Sequence, residues 1–253
     1  MPVRLQGEKA LMEIFGQTDI GRARRANQDA FGTRVYGDTA VAVVCDGMGG
    51  ANAGDVAAEL AVGSFLKSMD AYFSAAAPKA PPERAVAEAV LLADGIVCER
   101  AETDEDCRGM GTTLVAAVVS GDGAVVVNVG DSRAYHVSDG SALRVTRDHS
   151  VVEDMVARGE ITLEQARRHP NRNLITRALG SGSGDAPDIF KLTLRRGDYL
   201  VLCSDGLSNL LTGEELLEET RRGGELSALC SRLIGEALRR GAPDNVTVVA
   251  VRV

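Results

Sequence analysis

The chain has no tryptophan and few other aromatic residues, four Tyr and five Phe, in a sequence of formal charge -8. That excludes the basic, stacking-rich surface by which proteins grip nucleic acid. No apolar run approaches the roughly 20 residues that cross a bilayer. The leading segment MPVRLQGEKA also lacks the apolar core of a signal peptide. We therefore expect a cytoplasmic protein without a membrane partner. The five cysteines (Cys45, Cys98, Cys107, Cys203, Cys230) are odd in number and form no CxxC pair, unlike a secreted disulfide framework or a zinc site. We expect buried, reduced thiols. The signatures GxGxxG, GxxxxGK[ST] and HExxH are missing, which removes the usual dinucleotide, P-loop and zincin readings. No cysteine is followed six positions later by arginine, so the thiol-phosphatase pattern is missing too.

What is present is enough to build a core. The 253 residues are 45% hydrophobic and 25% charged, which suits one domain spanning residues 1–253. Alternating or continuous apolar runs predict strands at MEIFGQTDI, DAFGTRV and AVAVVCD, then helices over about 52–72 and 82–103. Strands resume at TTLVAAVVS, AVVVNVG, RAYHVS and ALRVT, joined by short turns that favour antiparallel neighbours. A charged stretch over about 147–187 carries two short helical patterns, VVEDMVARG and TLEQARRH, and reads as an excursion from the core. Strands DIFKLTL and DYLVLCS follow, then helices over about 213–222 and 225–240 and a closing strand NVTVVAVRV. Strands that cluster in this way predict an α+β fold of antiparallel sheets flanked by helices, not a doubly wound parallel sheet.

Four aspartates lie where an apolar strand meets a turn: Asp46 in AVVCDGMGG, Asp131 in VVNVGDSR, Asp205 in LVLCSDGL and Asp244 in GAPDNVTVV. Each alone is an ordinary turn residue. Together they form an all-oxygen donor set on rigid supports, which selects a hard cation, Mg²⁺ or Mn²⁺ before Zn²⁺. Upstream, GRARRANQD places Arg22, Arg24 and Arg25 beside Asn27, Gln28 and Asp29. This segment is either a solvated basic turn or a guanidinium fork for a phosphoryl group.

The blocks TDIGRARRANQDAF, VVCDGMGG, GMGTTL, VNVGDSRAY, TRDHSVVEDMVARGEIT, HPNRNLITRALG, LCSDGLSNLL and PDNVTVV occur in an order that resembles the bacterial metal-dependent protein phosphatases, the PPM or type 2C serine/threonine family. The resemblance implies a four-layer α-β-β-α sandwich with a flap insertion and a metal cleft at one end of the two sheets. It also implies roles. Asp46 resembles the carboxylate bridging two core ions, Mn²⁺ or Mg²⁺, with the Gly47 carbonyl as a further ligand. Asp205 and Asp244 resemble the other ligands of the second ion. Asp131 with Asp205 resembles the pair holding a third ion, Asp29 an outer ligand acting through water, and Arg24 the phosphate-binding arginine. The implied reaction is hydrolysis of phosphoserine and phosphothreonine by direct attack of a metal-bridging hydroxide. Phosphorylated proteins would be the substrates, a cognate Ser/Thr kinase the opposing enzyme, and the phosphatase a monomer.

Two positions depart from the family pattern: Met48 stands where many eukaryotic members have histidine, and Gln28 where glutamate is commoner. Gln28 keeps hydrogen-bonding capacity but removes one charge, so weaker metal affinity is expected. Between Arg144 and Arg177 seven arginines face five acids, a locally positive stretch that could steer an anionic phosphopeptide. His149 and His169 in this stretch are read as structural or flap-positioning residues. The rival readings are a scaffold whose catalysis has decayed and a partner-switching phosphatase specific for one regulator. Decay would remove metal carboxylates, and Asp46, Asp205 and Asp244 are all retained.

Overall fold

The computed structural model describes residues 12–49, 53–76 and 80–253. The leader reading of MPVRLQGEKA and the expected helix start at position 52 fall outside the described residues. Strands β1 (Glu13–Asp19), β2 (Asp29–Tyr36) and β3 (Thr39–Met48) precede helices α1 (Gly54–Ser74) and α2 (Pro82–Thr103). One 3-10 turn at Glu105–Cys107 leads into β4 (Gly111–Thr112), β5 (Leu114–Ser120), β6 (Gly123–Val129), β7 (Arg133–Val137) and β8 (Ala142–Arg144). The excursion then carries α3 (Val151–Ala157) and α4 (Leu163–Arg167), each started by a hydroxyl cap, Ser150 and Thr162. Strands β9 (Asp188–Thr193) and β10 (Tyr199–Cys203), helices α5 (Asp205–Ser208), α6 (Gly213–Arg221) and α7 (Leu226–Arg239), and strand β11 (Val246–Arg252) complete the order.

All strand pairs are antiparallel, in two sheets: β1-β11-β10-β7-β8, and β2-β3-β5-β6-β9 with β4 appended to β3. The two-residue period of a strand explains how they stack. In β3, Val41, Val43 and Cys45 face α1 and α2, whereas Ala40, Ala42 and Val44 face the other sheet. In β11, Val249 and Val251 meet that central layer while Val246, Val248 and Ala250 pack on α6 and α7. Strands buried on both faces thus read as continuous apolar runs. Helix α1 lays Ala57, Ala58, Ala61, Phe65 and Met69 on its sheet, at the three- and four-residue spacing of one helical face. The outcome is the α-β-β-α sandwich that the family resemblance implies, built of the antiparallel sheets flanked by helices that the strand clustering predicts.

Three details differ from the sequence reading. Strand β3 runs past Asp46 to Met48, because Gly47 and Met48 pair with Thr112 and Gly111 of β4. Helix α5 and the 3-10 turn, with four and three residues, are too short to leave a periodic trace. Cys98 is only partly buried, while the other four cysteines are buried, and all five are free. Among the described residues no helix is long and apolar enough to cross a membrane.

Candidate active site

One end of the sandwich collects the residues that the sequence singles out as candidate metal ligands and phosphate binders. Asp29 opens β2 and is the register partner of Asp46 on β3. Asp131 follows β6, Asp205 begins α5 just beyond β10, and Asp244 precedes β11. Two sheets therefore feed one cleft. Asp29 and Asp46 come from the β2-β3-β5-β6-β9 sheet, Asp131 from the link between β6 and β7 that joins the two sheets, and Asp205 and Asp244 from the sheet that holds β10 and β11.

Hydroxyl side chains bind the two halves together. Ser204 Oγ and Thr247 Oγ1 each donate to Asp29 Oδ2 at 2.7 Å, crossing from one sheet to the other. Thr113 holds Asp46 at both backbone ends: its N–H donates to Asp46 O at 2.9 Å, and its Oγ1 accepts from Asp46 N–H at 3.0 Å. The same Oγ1 lies 2.7 Å from Ser132 Oγ, beside Asp131. Asn245 closes the arginine loop. Its Nδ2 donates to Ile20 O and Ala26 O at 2.9 and 3.0 Å, and its Oδ1 accepts from Gln28 N–H at 2.8 Å. Gly47 admits no side chain: a Cβ there would sit 1.9 Å from Gly54 O and 2.7 Å from Gln28 O. Only glycine lets these three segments meet.

The carboxylates are electrostatically strained. Burial, then the charges of Asp29 and Asp205, pushes the Asp46 carboxyl well above its usual range. Burial raises Asp29 and Asp131 to about 7 each, with Asp205 adding repulsion in both cases, and burial and Asp244 raise Asp205. Two buried oxygens, Asp29 Oδ1 and Asp205 Oδ1, have no hydrogen-bond partner. Desolvated, mutually repelling acids with unused oxygens are stable as anions only beside compensating positive charge. Arg24 supplies part of it: its Nη2 donates to Asp244 Oδ2 at 2.7 Å, and it also feels Asp46 and Asp205. Among the described residues no group of three or more His, Cys, Asp or Glu side chains is placed so that it could hold a metal ion. The donors present are nonetheless oxygens of the kind that hold hard divalent ions. A cavity of about 450 Å³ lined by Cys98, Glu102, Arg108 and Gly182 lies elsewhere and includes none of these carboxylates.

Residue by residue, Arg24, Asp29, Asp46, Gly47, Asp131, Asp205 and Asp244 converge. The supporting Thr113, Ser132, Ser204, Asn245 and Thr247 were not singled out from the sequence. The only trace they leave is their place inside the blocks GMGTTL, VNVGDSRAY, LCSDGLSNLL and PDNVTVV. The positive stretch is largely neutralised within itself. Arg144 pairs with Glu153, Arg147 with Asp154 at 3.0 Å, Arg158 with Glu160 at 2.6 Å, Arg168 with Glu164 at 3.4 Å and Arg177 with Asp188 at 3.4 Å. Among the described residues only Arg167 and Arg172 of these seven have no ion-pair partner. His169 accepts from Asn171 N–H at 3.1 Å, a local turn contact.

Comparison with known proteins places this architecture. The profile of the family described as Protein phosphatase 2C matches residues 20–234. The serine/threonine phosphatase stp of Listeria welshimeri is 36% identical over 236 residues, covering 93% of each chain. PstP of Mycobacterium tuberculosis is 37% identical over 243 residues, which are 96% of this chain and 45% of PstP. Among solved structures, the S. agalactiae serine/threonine phosphatase superposes with a TM-score of 0.87 at 34% identity, over 96% of this chain and 99% of that one. The catalytic domain of PstP, determined in complex with two manganese ions, superposes with a TM-score of 0.81 at 33% identity, over 95% and 97%. A two-sheet sandwich with acids gathered at one end is thus the frame of a phosphoprotein phosphatase. The chain belongs to the protein phosphatase 2C family, whose serine/threonine phosphatases use Mn²⁺ or Mg²⁺.

Proposed function

We propose that this phosphatase hydrolyses phosphoserine and phosphothreonine with divalent ions held by Asp46, the Gly47 carbonyl, Asp205 and Asp244, and a further ion held by Asp131 with Asp205. The supporting observation is the set of buried acids that raise one another's pKa while Asp29 Oδ1 and Asp205 Oδ1 stay unpartnered. Bound Mn²⁺ or Mg²⁺ supplies the Lewis acidity that makes water a nucleophile at neutral pH and offsets phosphoryl charge.

The residues of the chain do the rest. Ser204 and Thr247 fix the Asp29 carboxylate, leaving Oδ1 to orient water at the edge of the site. Asn209 Nδ2 donates to Asp205 Oδ2 at 3.1 Å and turns the other oxygen inward. Arg24, on a loop pinned by Asn245, binds the phosphoryl oxygens in its planar fork. Met48 offers no proton, so the leaving oxygen takes its proton from water. Attack is direct, since the cysteines beside the carboxylates cannot serve as nucleophiles. Cys45 and Cys203 are fully buried, and burial pushes the Cys203 thiol to about 12.

On this reading the chain is one phosphatase unit, cytoplasmic and monomeric, that opposes a Ser/Thr kinase on phosphorylated proteins. The test is phosphate release from a phosphothreonine peptide with Mn²⁺, then with chelator, for wild type and Asp205→Asn. Release by wild type with Mn²⁺ alone is expected. Equal release in chelator, or by Asp205→Asn, refutes the assignment.

A further inference from the structure

The segment between β8 and β9, the flap, leaves and rejoins the sheets through two stems zipped to each other. Ser150 bridges Ile175, Val151 N–H donates to Leu174 O at 3.0 Å, and Thr176 N–H donates to His149 O at 2.8 Å. A surface insertion needs no more anchorage than that. Both stems nevertheless continue into the carboxylate cleft.

On the incoming stem, two consecutive buried residues grip the chain on either side of Asp131. Asp148 takes the guanidinium of Arg133, two residues after Asp131, with Nε at 3.0 Å and Nη2 at 2.6 Å. His149 holds Gly130, the residue before Asp131, twice: His149 N–H donates to Gly130 O at 2.9 Å, and Gly130 N–H donates to His149 Nδ1 at 3.1 Å. Gly130 has no slack. Its φ is +103°, and a Cβ there would sit 2.6 Å from Thr113 Cγ2, against the residue that clasps Asp46. The other ring nitrogen, Nε2, faces Asp188 Oδ2 at 3.2 Å without the alignment of a full hydrogen bond. Asp188 is also the partner of Arg177 on the outgoing stem. That stem is tied in turn to β4. Leu179 and Thr112 exchange backbone hydrogen bonds of 2.9 and 3.0 Å, and Thr112 Oγ1 donates to Asp46 O at 3.0 Å.

We propose that Asp148 and His149 are positioning residues that lock the flap to the Asp131 segment, so that flap docking and the grip of Asp131 on a divalent ion strengthen or weaken together. This rests on the metal-ion reading given above. Coupling of two binding equilibria is reciprocal, so the factor by which an ion steadies the flap equals the factor by which a docked flap tightens the ion. A merely structural bolt would change stability and leave that factor alone.

The flap reports its own docking, because Arg158, Arg167, Arg168 and Arg172 are exposed tryptic sites. Cleavage is measured with and without saturating Mn²⁺, and bound Mn²⁺ is counted separately from the loss of the free-ion EPR signal. In wild type Mn²⁺ should slow flap cleavage by about fivefold or more. His149→Ala should lose most of that protection and weaken its weakest Mn²⁺ site by the same factor. His149→Asn, whose amide oxygen can replace Nδ1 as acceptor for Gly130 N–H, should recover both. If His149→Ala fails to fold, His149→Asn against Asp148→Asn carries the comparison, with the loss expected only in the latter. Wild-type protection and wild-type binding in folded His149→Ala and Asp148→Asn would overturn the coupling, as would loss of protection with unchanged Mn²⁺ binding. A wild type that binds Mn²⁺ but is cleaved at the same rate with and without it also overturns the coupling while sparing the metal reading. A wild type that binds no Mn²⁺ overturns both.

Discussion

Arg24 Nη2 and Asp244 Oδ2 meet at 2.7 Å across 220 residues of sequence, at the rim where the arginine loop touches the turn before β11. The arginine side chain is 50% exposed, so this pair contributes only about 0–1 kcal/mol to stability. Its value is positional. Arg24→Ala should therefore lower kcat/KM for a phosphopeptide by about 10²-fold, with little change in Tm and no weakening of Mn²⁺ binding. Arg24→Lys should recover part of the loss, because an ammonium lacks the planar fork. Steady-state kinetics beside calorimetry checks this, and a large fall in Tm would show that the role is structural.

Metal removal should be felt by the fold as well as by the reaction. The buried acids repel one another, and a cation that binds only the native state relieves them. At an ion concentration about 100 times the dissociation constant, each site adds about 2.7 kcal/mol. Scanning calorimetry should show a higher Tm in Mn²⁺ than in chelator for wild type, and a smaller difference for Asp205→Asn. Identical melting curves would count against ion binding by these residues.

Gln28 connects both sides of the cleft through its backbone, donating to Asn245 Oδ1 at 2.8 Å and accepting from Gly47 N–H at 3.0 Å. Gln28→Glu keeps this backbone frame and returns one negative charge. A unit charge at contact range in solvated surroundings is worth about 1 kcal/mol, or roughly fivefold in affinity. The Mn²⁺ concentration for half-maximal rate should fall by about that factor. A titration that overlays wild type would remove Gln28 from any part in metal affinity.

Away from the cleft, Glu215 both caps α6 and pairs with Arg240 of the segment after α7. It accepts from Thr212 N–H at 2.7 Å, and the hydrogen bond with Arg240 is the main reason its carboxyl falls to about 2. A carboxyl depressed in the folded state adds stability above its unfolded value of about 4.3, and that stability is lost as pH falls from there through about 2. Wild type should exceed Glu215→Gln in Tm at neutral pH, and the gap should close as pH drops through that window. For so exposed a pair the gap is at most about 1 kcal/mol. A gap independent of pH would assign the effect to shape, not charge.

The four strand-end aspartates are legible because each borders a run of apolar residues that must be strand. Asp46 follows AVAVVC and Asp205 follows LVLCS by the same logic. The clasp of Thr113 on Asp46 is not legible, because a threonine inside TTLVAAVVS looks like any other strand residue until Ser132 is brought 2.7 Å from its hydroxyl. Asn245 is hidden in the same way. Nothing in PDNVTVV says that its amide spans Ile20 and Ala26, more than 200 residues away. The flap's charge balance is half legible. The four-residue spacing of Glu164 and Arg168 announces a helical pair, but Arg144 finds Glu153 only once β8 and α3 are placed.

Since the acids divide between two sheets, joined at Asp29 by hydroxyls from Ser204 and Thr247, neither half is a catalyst in miniature. β11 lies between β1 and β10, and it carries Thr247 in and seats Asp244 at its mouth. One strand therefore ties the sheet's order, the Asp29 carboxylate and the position of Asp244 to a single element.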